Sequence, residues 1–445
     1  MMRMRLGDVA TLTGGRLIGA ADGEIAGMIH DSRSVRPGNL FVALPGSHSD
    51  GHDFVDQAAS AGAGAALVAR ELDADLNQIL VPDVLTAMGQ VAAGWRRQLD
   101  LTVIGVTGSN GKTTVKEMIT AILSEQAPTL ATRGNYNNEI GLPLTLSRLD
   151  ASHRYAVLEM GASRPGDIRY LASLARPDIG VLTNAASAHL EGFGSLEGVA
   201  RTKGELFQSL PEEGMAVINT DDAYYSLWRE LSGHCQRLGF GFSDQANVRG
   251  RMLDGGARIT TPAGSVDLQL RLPGRHNLMN AMAAMAVATH LGIPPAQSAA
   301  ALGKLQSLPG RFQVHHNAAG WCLIDDTYNA NPASLYAGLV VLANMSGEAW
   351  LVLGDMAELG PDSEKLHAEM GRSAVDLGVC RLFCIGQACQ ASAAAFGPGA
   401  MHFESHAALC DALSEALKPG VNCLVKGSRS MAMERVVDVL IGEKH

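Results

Sequence analysis

Short apolar runs alternate with longer amphipathic stretches along most of this chain. The run LTVIGV at residues 101–106 is rich in β-branched residues, and VKEMITAIL at 115–123 has helical spacing. They predict a buried strand followed by an amphipathic helix. Further strands are predicted at 154–163, 177–186 and 214–222, with helical segments between them. This rhythm indicates a mostly parallel sheet covered by helices, whose ligand lies at the carboxyl ends of the strands.

The same pattern divides the rest of the chain into two further parts. Strands at 40–44 and 65–68, with a helix at 53–61, predict a small N-terminal α/β module. From about residue 309 onwards, four strand-loop-helix units predict a Rossmann-like third part. We therefore expect an α/β protein of three domains, with a central P-loop-type domain, at residues 1–81, 82–310 and 311–445.

Length and composition agree with this division. A chain of 445 residues is too long for one core, and 47% hydrophobic content with 18% charged residues is typical of a soluble α/β protein. The seven cysteines never form CxxC, which favours reduced thiols over disulfides or a zinc site. A net charge of −10 argues against non-specific nucleic-acid binding. No apolar run reaches membrane-spanning length, and the opening MMRMRLGDVA lacks a secretory core, so we expect a cytoplasmic protein without membrane insertion.

The stretch TGSNGKTT lies between the predicted strand at 101–106 and its helix. Its glycines let backbone N–H groups point at a polyphosphate, Lys112 can reach the outer phosphates, and the Thr113 hydroxyl can hold Mg²⁺. The spacing departs from GxxxxGK[ST], because Val106 stands where the first glycine belongs. The alternative is an ordinary glycine turn between a strand and a helix. The residues expected around the phosphates are Thr107, Gly108, Ser109, Asn110, Gly111, Lys112, Thr113 and Thr114.

Three further polar residues follow strands or lie on a helix of the central part. Glu159 ends a strand, His189 lies in a loop after the next strand, and Lys203 lies on a helix. A carboxylate and an imidazole beside a phosphate loop are plausible ligands for a second divalent cation. A histidine after a strand is also often only a hydrogen-bonded loop residue. A lysine near two metal ions would repel them unless it were neutral or chemically converted.

Asparagines form two candidate binding groups. Asn135, Asn137 and Asn138 in NYNNEIG can hydrogen-bond a polar substrate, although such stretches are often turns. Asn277 and Asn280 are three apart near the start of an alanine-rich helix and share a face, where an amide could read a purine edge. The alternative for this pair is a helix cap with a second surface asparagine.

Near the start of the chain, Ser32 and Arg33 lie on a turn after a strand. They could take a phosphate or a ribose. Equally, Asp31, Ser32 and Ser34 could stabilise the turn by themselves and leave Arg33 in solvent.

Taken together, these motifs resemble the Mur ligases of peptidoglycan synthesis. The resemblance extends from DSR near the start to KGSR near the end. NYNNEIG and DDTYNANP are typical of the member that adds D-alanyl-D-alanine, and the DNPR motif of diaminopimelate-adding ligases is absent from the sequence. The motifs that carry the resemblance are GSNGKTT, NYNNEIGLPLTL, LEMGAS, HLEGFGSLEGVARTKGELF, PGRHNLMNAMAA, PGRFQV, DDTYNANPAS, LGDMAELG and KGSR.

The resemblance implies ATP and two Mg²⁺ ions as ligands. Lys112 would contact the β and γ phosphates and Thr113 the first Mg²⁺. Glu159 and His189 would hold the second Mg²⁺, with Lys203 as a carbamoylated lysine. The positions implied for the rest of ATP are Asn277 and Asn280 at the adenine, Asp326 at the ribose, and Arg311 near the γ-phosphate or the base.

It also implies the substrates. The first domain would bind the UDP group of UDP-N-acetylmuramoyl-tripeptide, with Ser32 and Arg33 as candidates, and Lys426 and Arg429 would reach its peptide end. The tripeptide carboxylate would be phosphorylated by ATP, and the amine of D-Ala-D-Ala would displace the phosphate. We expect a monomer that binds these small molecules and no nucleic acid. Three other interpretations stay open: a ligase for a different amine, a nucleotide-binding regulator without turnover, and a P-loop phosphotransferase.

Overall fold

The computed structural model describes residues 1–46, 49–186 and 190–442. Within these residues the strands form four sheets, and most of the helices lie between successive strands. Three larger sheets follow one another along the chain, and each is mostly parallel. The predicted fold class is therefore confirmed.

The N-terminal part consists of short elements. In chain order they are β1 (Arg3–Arg5), α1 (Leu6–Thr13), β2 (Arg16–Ile18), β3 (Glu24–Ala26), β4 (Met28–Ile29), β5 (Leu40–Val42), α2 (Val55–Ser60), β6 (Ala65–Val68), β7 (Gln78–Leu80) and α3 (Val84–Arg96). The sheet order is β2-β7-β6-β5-β4, in which only β2 is antiparallel to its neighbour, while β1 and β3 pair separately. The strands predicted at 40–44 and 65–68 correspond to β5 and β6.

The central part contains the largest sheet. Its strands are β8 (Thr102–Thr107), β9 (Thr129–Ala131), β10 (Tyr155–Glu159), β11 (Ile179–Leu182), β12 (Met215–Asn219), β13 (Gln236–Gly241), β14 (Val248–Leu253), β15 (Gly256–Thr261) and β16 (Gly264–Leu268). Its helices are α4 (Lys112–Ser124), α5 (Gly141–Leu146), α6 (Asp167–Ala175), α7 (Leu190–Phe193), α8 (Leu196–Gln208), α9 (Tyr225–Leu231), α10 (Arg275–His290) and α11 (Pro295–Lys304). The order is β16-β15-β14-β13-β12-β11-β8-β10-β9, and neighbouring strands are parallel except for the antiparallel pairs β14–β15 and β15–β16 at one edge. The phosphate-loop strand β8 thus lies inside the sheet, between β11 and β10.

The C-terminal part has its own parallel sheet. Its elements are β17 (Gln313–His316), β18 (Cys322–Asp326), α12 (Pro332–Ala343), β19 (Glu348–Gly354), α13 (Ser363–Asp376), β20 (Val379–Ile385), α14 (Cys389–Phe396), β21 (Ala400–Phe403), α15 (His406–Ala416), β22 (Val421–Lys426) and α16 (Glu434–Ile441). The order is β17-β18-β22-β19-β20-β21, and only β17 is antiparallel. Because β18 and β22 are adjacent and parallel, Asp326 and Lys426 lie side by side where both strands end.

Helices bury both faces of the central sheet. On one face, Met88 of α3 belongs to an apolar cluster that also contains Leu40 of the N-terminal part and Leu158 of β10. On the other face, Met118 of α4 and Met282 of α10 pack in a second cluster. Burial on both sides explains why the central strands are continuously apolar rather than alternating.

All seven cysteines are free thiols, and Cys380 is the exposed one. Burial raises the pKa of Cys384 and of Cys423 to about 12, so both behave as packing residues rather than nucleophiles. Over the described ranges, no helix combines the length and the apolarity needed to cross a bilayer.

Candidate active site

A cavity of about 1410 Å³ opens beyond the carboxyl ends of the central strands. Glu159, at the end of β10, and Asn280 of α10 line it from the central part. Asp326, at the end of β18, lines it from the C-terminal part. The structure therefore brings candidate residues of two sheets into one space, at the edge where a ligand is expected in parallel α/β proteins.

Two glycines let the phosphate loop (residues 107–111) pass close to its neighbours. Gly108 has φ 145° and Gly111 has φ 81°, values that strain any other residue. A Cβ at Gly108 would lie 1.9 Å from Oγ1 of Thr183, and one at Gly111 would lie 2.5 Å from Oδ1 of Asn280. The helix α4 begins at Lys112, earlier than the predicted start at 115, and no side chain caps its N-terminus. This open first turn suits an anion.

Not every residue of the loop reaches the cavity. Among the described residues, 109–111 of the loop and 112–114 of the first turn of α4 line the cavity. Thr107 and Gly108 lie behind them, where the buried Thr107 hydroxyl donates to the carbonyl of Met160 at 2.8 Å. Thr107 therefore supports the loop through its side chain.

Asn184, which follows β11, fixes the shape of the phosphate loop and was missed in the sequence. Its carbonyl accepts from the amide of Ser109 at 2.9 Å, and its side-chain oxygen accepts from the amide of Asn110 at 3.0 Å. Its side-chain amide donates to the carbonyl of Asn110 at 3.1 Å. The available signal was an asparagine near the end of the strand predicted at 177–186, but its relevance depends on β11 being the neighbour of β8.

The ammonium of Lys112 lies against the loop itself. Nζ donates to the carbonyls of Gly108 at 2.9 Å and Ser109 at 3.3 Å. Burial lowers the pKa of Lys112, Arg311 lowers it further, and Glu159 opposes the shift. A phosphate anion beside this ammonium would favour its protonated form, so the position suits a polyphosphate.

Glu159 is the centre of a buried hydrogen-bond group. Its Oε2 accepts from the hydroxyl of Thr113 at 2.8 Å, and its Oε1 accepts from the amide of Asn137 at 2.7 Å. The same Thr113 hydroxyl accepts from the guanidinium of Arg311 at 2.9 Å. A carboxylate and a hydroxyl held together beside the phosphate loop are hard oxygen ligands of the kind that Mg²⁺ prefers.

Lys203 lies in the buried part of α8. The residue is 2% exposed, and its Nζ lies 5.4 Å from the ring centroid of Phe193. Burial lowers its pKa to about 7, helped by Lys112 and opposed by Asp167 and Glu159. The side chain is therefore partly neutral near pH 7. His189, the other predicted ligand, lies outside the described residues.

Asn277 and Asn280 occupy the first two turns of α10 and line the cavity. Asn280 donates to Oδ1 of Asn277 at 3.3 Å, and Asn277 donates to the carbonyl of Pro273 at 2.7 Å. Asn280 also lies next to Gly111 of the phosphate loop. Both asparagines thus face the site rather than solvent, although their role at a purine stays a prediction.

The C-terminal part adds Arg311 and Asp326. The guanidinium carbon of Arg311 lies 3.9 Å from the ring centroid of Tyr328, a stacking partner that the sequence did not reveal. Oδ1 of Asp326 accepts from the amide of Phe312 at 3.2 Å, and Phe312 has φ 56°. The strained turn at Phe312 therefore fixes Asp326 next to Arg311.

The two KGSR candidates have different surroundings. Lys426 is 2% exposed and its Nζ contacts Oδ2 of Asp326, so it is tied to another predicted ligand-binding residue. Arg429 is not among the described lining residues of the cavity, and its exposed guanidinium lies 3.2 Å from a carboxylate oxygen of Glu434. Whether either contacts a peptide stays a prediction.

In the NYNN stretch, two of the candidate asparagines line the cavity and the third does not. Asn137 and Asn138 line the cavity, and Oδ1 of Asn138 also accepts from the amide of Gly141, the first residue of α5, at 2.9 Å. Asn135 is exposed, and its carbonyl accepts from the amide of Asn137. Asn137 reaches the site most directly, through Glu159.

Ser32 and Arg33 form a short 3-10 turn away from this cavity. The guanidinium of Arg33 pairs with Asp31, which lowers the pKa of that carboxyl to about 2, and the side chain of Arg33 remains 82% exposed. The hydroxyl of Ser32 donates to Oε1 of Gln57 at 2.8 Å. These are the contacts of the self-stabilised turn, and a role in substrate binding stays a prediction.

One cluster of metal-ligand type lies elsewhere in the described residues, at Asp355, His367 and Cys389. Its polar atoms already have partners: Nε2 of His367 accepts from the amide of Met356 at 2.9 Å, and Asp355 accepts from the amide of Cys389 at 2.8 Å. These bonds join the ends of β19, α13 and α14, so the cluster has a structural role.

Comparison with protein families gives consistent matches along the chain. The Mur ligase family catalytic domain matches residues 24–96, the Mur ligase middle domain 106–288, and the Mur ligase glutamate ligase domain 310–429. The UDP-N-acetylmuramoyl-tripeptide--D-alanyl-D-alanine ligase of Escherichia coli (strain K12) is 44% identical over 448 residues, which cover 99% of each chain.

Solved structures agree. A crystal structure of MurF from Acinetobacter baumannii superposes with a TM-score of 0.93 at 33% identity, covering 99% of both chains. MurF ligase from Thermotoga maritima in complex with ADP superposes with a TM-score of 0.85 at 31% identity, covering 94% of this chain and 97% of that one.

Proposed function

This chain belongs to the Mur ligase family, and we propose that it joins D-alanyl-D-alanine to UDP-N-acetylmuramoyl-tripeptide at the expense of ATP. The products are UDP-N-acetylmuramoyl-pentapeptide, ADP and phosphate, in the synthesis of peptidoglycan precursors. The observation that carries the proposal is the single cavity in which the phosphate loop, Glu159 and Arg311 converge. Relatives of the same printed function match the chain over its whole length.

In the first step, an oxygen of the tripeptide's terminal carboxylate attacks the γ-phosphorus of ATP. A new P–O bond forms, the bond to ADP breaks, and an acyl phosphate results. Two anions must approach each other, so most of the catalysis is positioning and charge neutralisation. The ammonium of Lys112, the open first turn of α4 and the guanidinium of Arg311 provide positive charge and donors at this place.

In the second step, the neutral amine of D-Ala-D-Ala attacks the acyl carbon. The tetrahedral intermediate expels phosphate, the nitrogen loses its proton, and an amide remains. Water would destroy the acyl phosphate, so the site must be covered during this step. The end of β18 and the start of α12 also line the cavity, on the C-terminal part of the chain.

The residues around Glu159 fit a divalent cation. Thr113 and Glu159 provide two hard oxygen donors, and their present partners are a guanidinium and an amide that a cation can replace. We assign the first Mg²⁺ to Thr113 and the second to Glu159, His189 and Lys203. When bound, Mg²⁺ neutralises charge on the phosphate oxygens.

Lys203 fits as a carbamate. Its nitrogen is partly neutral near pH 7, so it can attack CO₂, form an N–C bond and release a proton. The product is an anion, which removes the repulsion between this side chain and both Lys112 and a metal ion. Labelling with ¹³C-bicarbonate should give a carbamate carbon signal in the wild type that is absent from a Lys203→Met variant.

Lys203→Met should stabilise the unmodified protein most at low pH. The folded pKa of about 7 lies below the ordinary value of 10.5, so between these values the unfolded state binds more protons and stability rises with pH. Below pH 7 the buried charge lowers the free energy of unfolding by its full amount. Methionine carries no charge and removes this destabilisation. Thermal melts in CO₂-free buffer should show a Tm advantage of the variant at pH 6 that shrinks by pH 9. An advantage that is equal at all pH values would contradict the buried charge, and Lys304→Met, at an exposed position, is the control.

Asn280→Ala should raise the KM for ATP more than it lowers kcat. If Asn280 reads the adenine, its loss removes about one hydrogen bond and raises the KM for ATP about 10-fold, with a smaller change in kcat. KM values for all three substrates test this. The matched control is Asn344→Ala, which removes an exposed asparagine at the end of α12. An unchanged KM for ATP would remove Asn280 from the nucleotide site.

The remaining assignments follow from the same function. We assign residues 1–81 to the UDP group, with Ser32 and Arg33 as its first candidate contacts, 82–310 to ATP, and 311–445 to the amine substrate, with Arg429 near the peptide end. The enzyme works as a cytoplasmic monomer. Light scattering of the purified protein tests its oligomeric state.

The direct test is product analysis. Protein, Mg-ATP, UDP-N-acetylmuramoyl-tripeptide and D-Ala-D-Ala are incubated, and the product is weighed by mass spectrometry. A pentapeptide product supports the proposal. Ligation of single amino acids or of glutamate to folate would indicate a different ligase, a stable phosphorylated product would indicate a phosphotransferase, and no turnover would indicate a regulator.

A further inference from the structure

Lys426 uses its whole hydrogen-bonding capacity inside the protein. Its Nζ contacts Oδ2 of Asp326 and donates to the carbonyls of Asn329 at 3.0 Å and Asp326 at 3.4 Å. An ammonium has three donors, and these three acceptors occupy them. With the residue 2% exposed, Lys426 has no donor left for a peptide substrate.

All three contacts of Lys426 are made with one segment, the 326–331 loop between β18 and α12. Asp326, Tyr328, Asn329 and Asn331 of this loop line the cavity. Next to Lys426 along the chain, the hydroxyl of Ser428 donates to the carbonyl of Ala330 at 3.3 Å. The end of β22 therefore holds the loop through Lys426 and Ser428, and Lys426 also lines the cavity, with its ammonium turned to the loop.

The other end of the loop reaches the phosphate loop. The side-chain amide of Asn331 donates to Oδ1 of Asn110 at 2.7 Å, and the amide of Asn110 donates back to Oδ1 of Asn331 at 3.4 Å. Asn331 also caps α12 through a capping box with Ser334. The 326–331 loop thus connects Lys426 to the segment that surrounds the phosphates.

We propose that Lys426 is a positioning residue for the nucleotide, which acts through Asp326 and the 326–331 loop and not by contact with the peptide. The inference depends on the proposed function only in assigning the cavity to ATP. Lys426 neutralises Asp326 beside a polyphosphate, while the Phe312 amide holds the other carboxylate oxygen. Without the ammonium, Asp326 would repel the phosphates and the carbonyl of Asn329 would lose its donor.

Nucleotide binding without turnover tests this role. Calorimetry with Mg-ADP should show binding weakened about 10- to 100-fold in Lys426→Met, the size expected for a charged hydrogen bond, and largely restored in Lys426→Arg. In steady state the KM for ATP should rise similarly, while the KM for UDP-N-acetylmuramoyl-tripeptide should stay within about twofold. Lys418→Met, at an exposed lysine of the same part of the chain, is the matched control and should bind ADP normally.

A double-mutant cycle tests the route through Asp326. If Lys426 acts through it, Asp326→Asn and Lys426→Met should be non-additive in ADP affinity. A raised KM for UDP-N-acetylmuramoyl-tripeptide with unchanged ADP affinity, or fully additive effects, would overturn the inference. Circular dichroism checks folding, and if Lys426→Met does not fold, Lys426→Gln replaces it in the cycle with Asp326→Asn. The ADP titration requires no ligation, so failure here is distinguishable from failure of the proposed function, which mass spectrometry of the wild-type product measures.

Discussion

Replacing Lys112 with methionine should lower kcat by about 10³-fold or more, because a cation beside the transferring phosphoryl group is lost. Methionine keeps the length and the apolar stem of the side chain. The Nζ of Lys112 currently donates to the carbonyls of Gly108 and Ser109, so the loop loses two internal bonds as well as its charge. ADP release at saturating concentrations of all three substrates measures the effect.

The control for Lys112→Met is Lys304→Met on α11, an exposed lysine that pairs with Glu125. It should leave kcat unchanged. Thermal melting of Lys112→Met should remain cooperative, which separates loss of chemistry from loss of fold. A kcat reduced less than 10-fold in a folded variant would show that Lys112 does not stabilise the transition state.

Glu159→Gln should have the second largest effect, a loss of about 10²- to 10³-fold in kcat. The two carboxylate oxygens accept from Thr113 and Asn137, and a glutamine amide would direct N–H groups at one of these donors. The negative charge that raises the pKa values of Lys112 and Lys203 would also disappear. Because the variant weakens a proposed metal ligand, its activity should require a higher Mg²⁺ concentration.

A magnesium titration of activity, together with Mg-dependent ADP binding, distinguishes this effect from simple misfolding. Glu125→Gln, which changes an exposed carboxylate at the far end of α4, should follow the wild-type curve. A Glu159→Gln enzyme with lower kcat but an unchanged magnesium requirement would remove Glu159 from the metal site.

The phosphate loop was predictable from the sequence because its information is local. A β-branched run, two glycines, a lysine and an amphipathic helix lie within about 25 residues, and their geometry depends mainly on backbone sterics. The helix start was less accurate: α4 includes Lys112 to Thr114, which polarity alone assigned to the loop. The edge strands β14, β15 and β16, which form two antiparallel pairs, were also not predicted, since their polar sequences lack a clear apolar run.

Contacts between distant segments could not be predicted from one sequence. Asn184 reaches the phosphate loop only because β11 pairs with β8, and Lys426 meets Asp326 only because β22 pairs with β18. The order of strands in a sheet depends on how whole sheets and helices pack together, and no local sequence pattern predicts it. The sequence therefore indicated which residues were chemically suitable, whereas the structure showed that Lys426 is already engaged by the 326–331 loop.

The link between the phosphate loop and α12 is made by two neutral amides, Asn110 and Asn331. Dissolved salt screens the attraction between charges but has little effect on a hydrogen bond between two neutral amides. The proposed substrates, in contrast, are highly anionic and would meet lysine and arginine side chains in the cavity. Raising the potassium chloride concentration should therefore weaken nucleotide binding. The hydrogen bonds between Asn110 and Asn331 should remain.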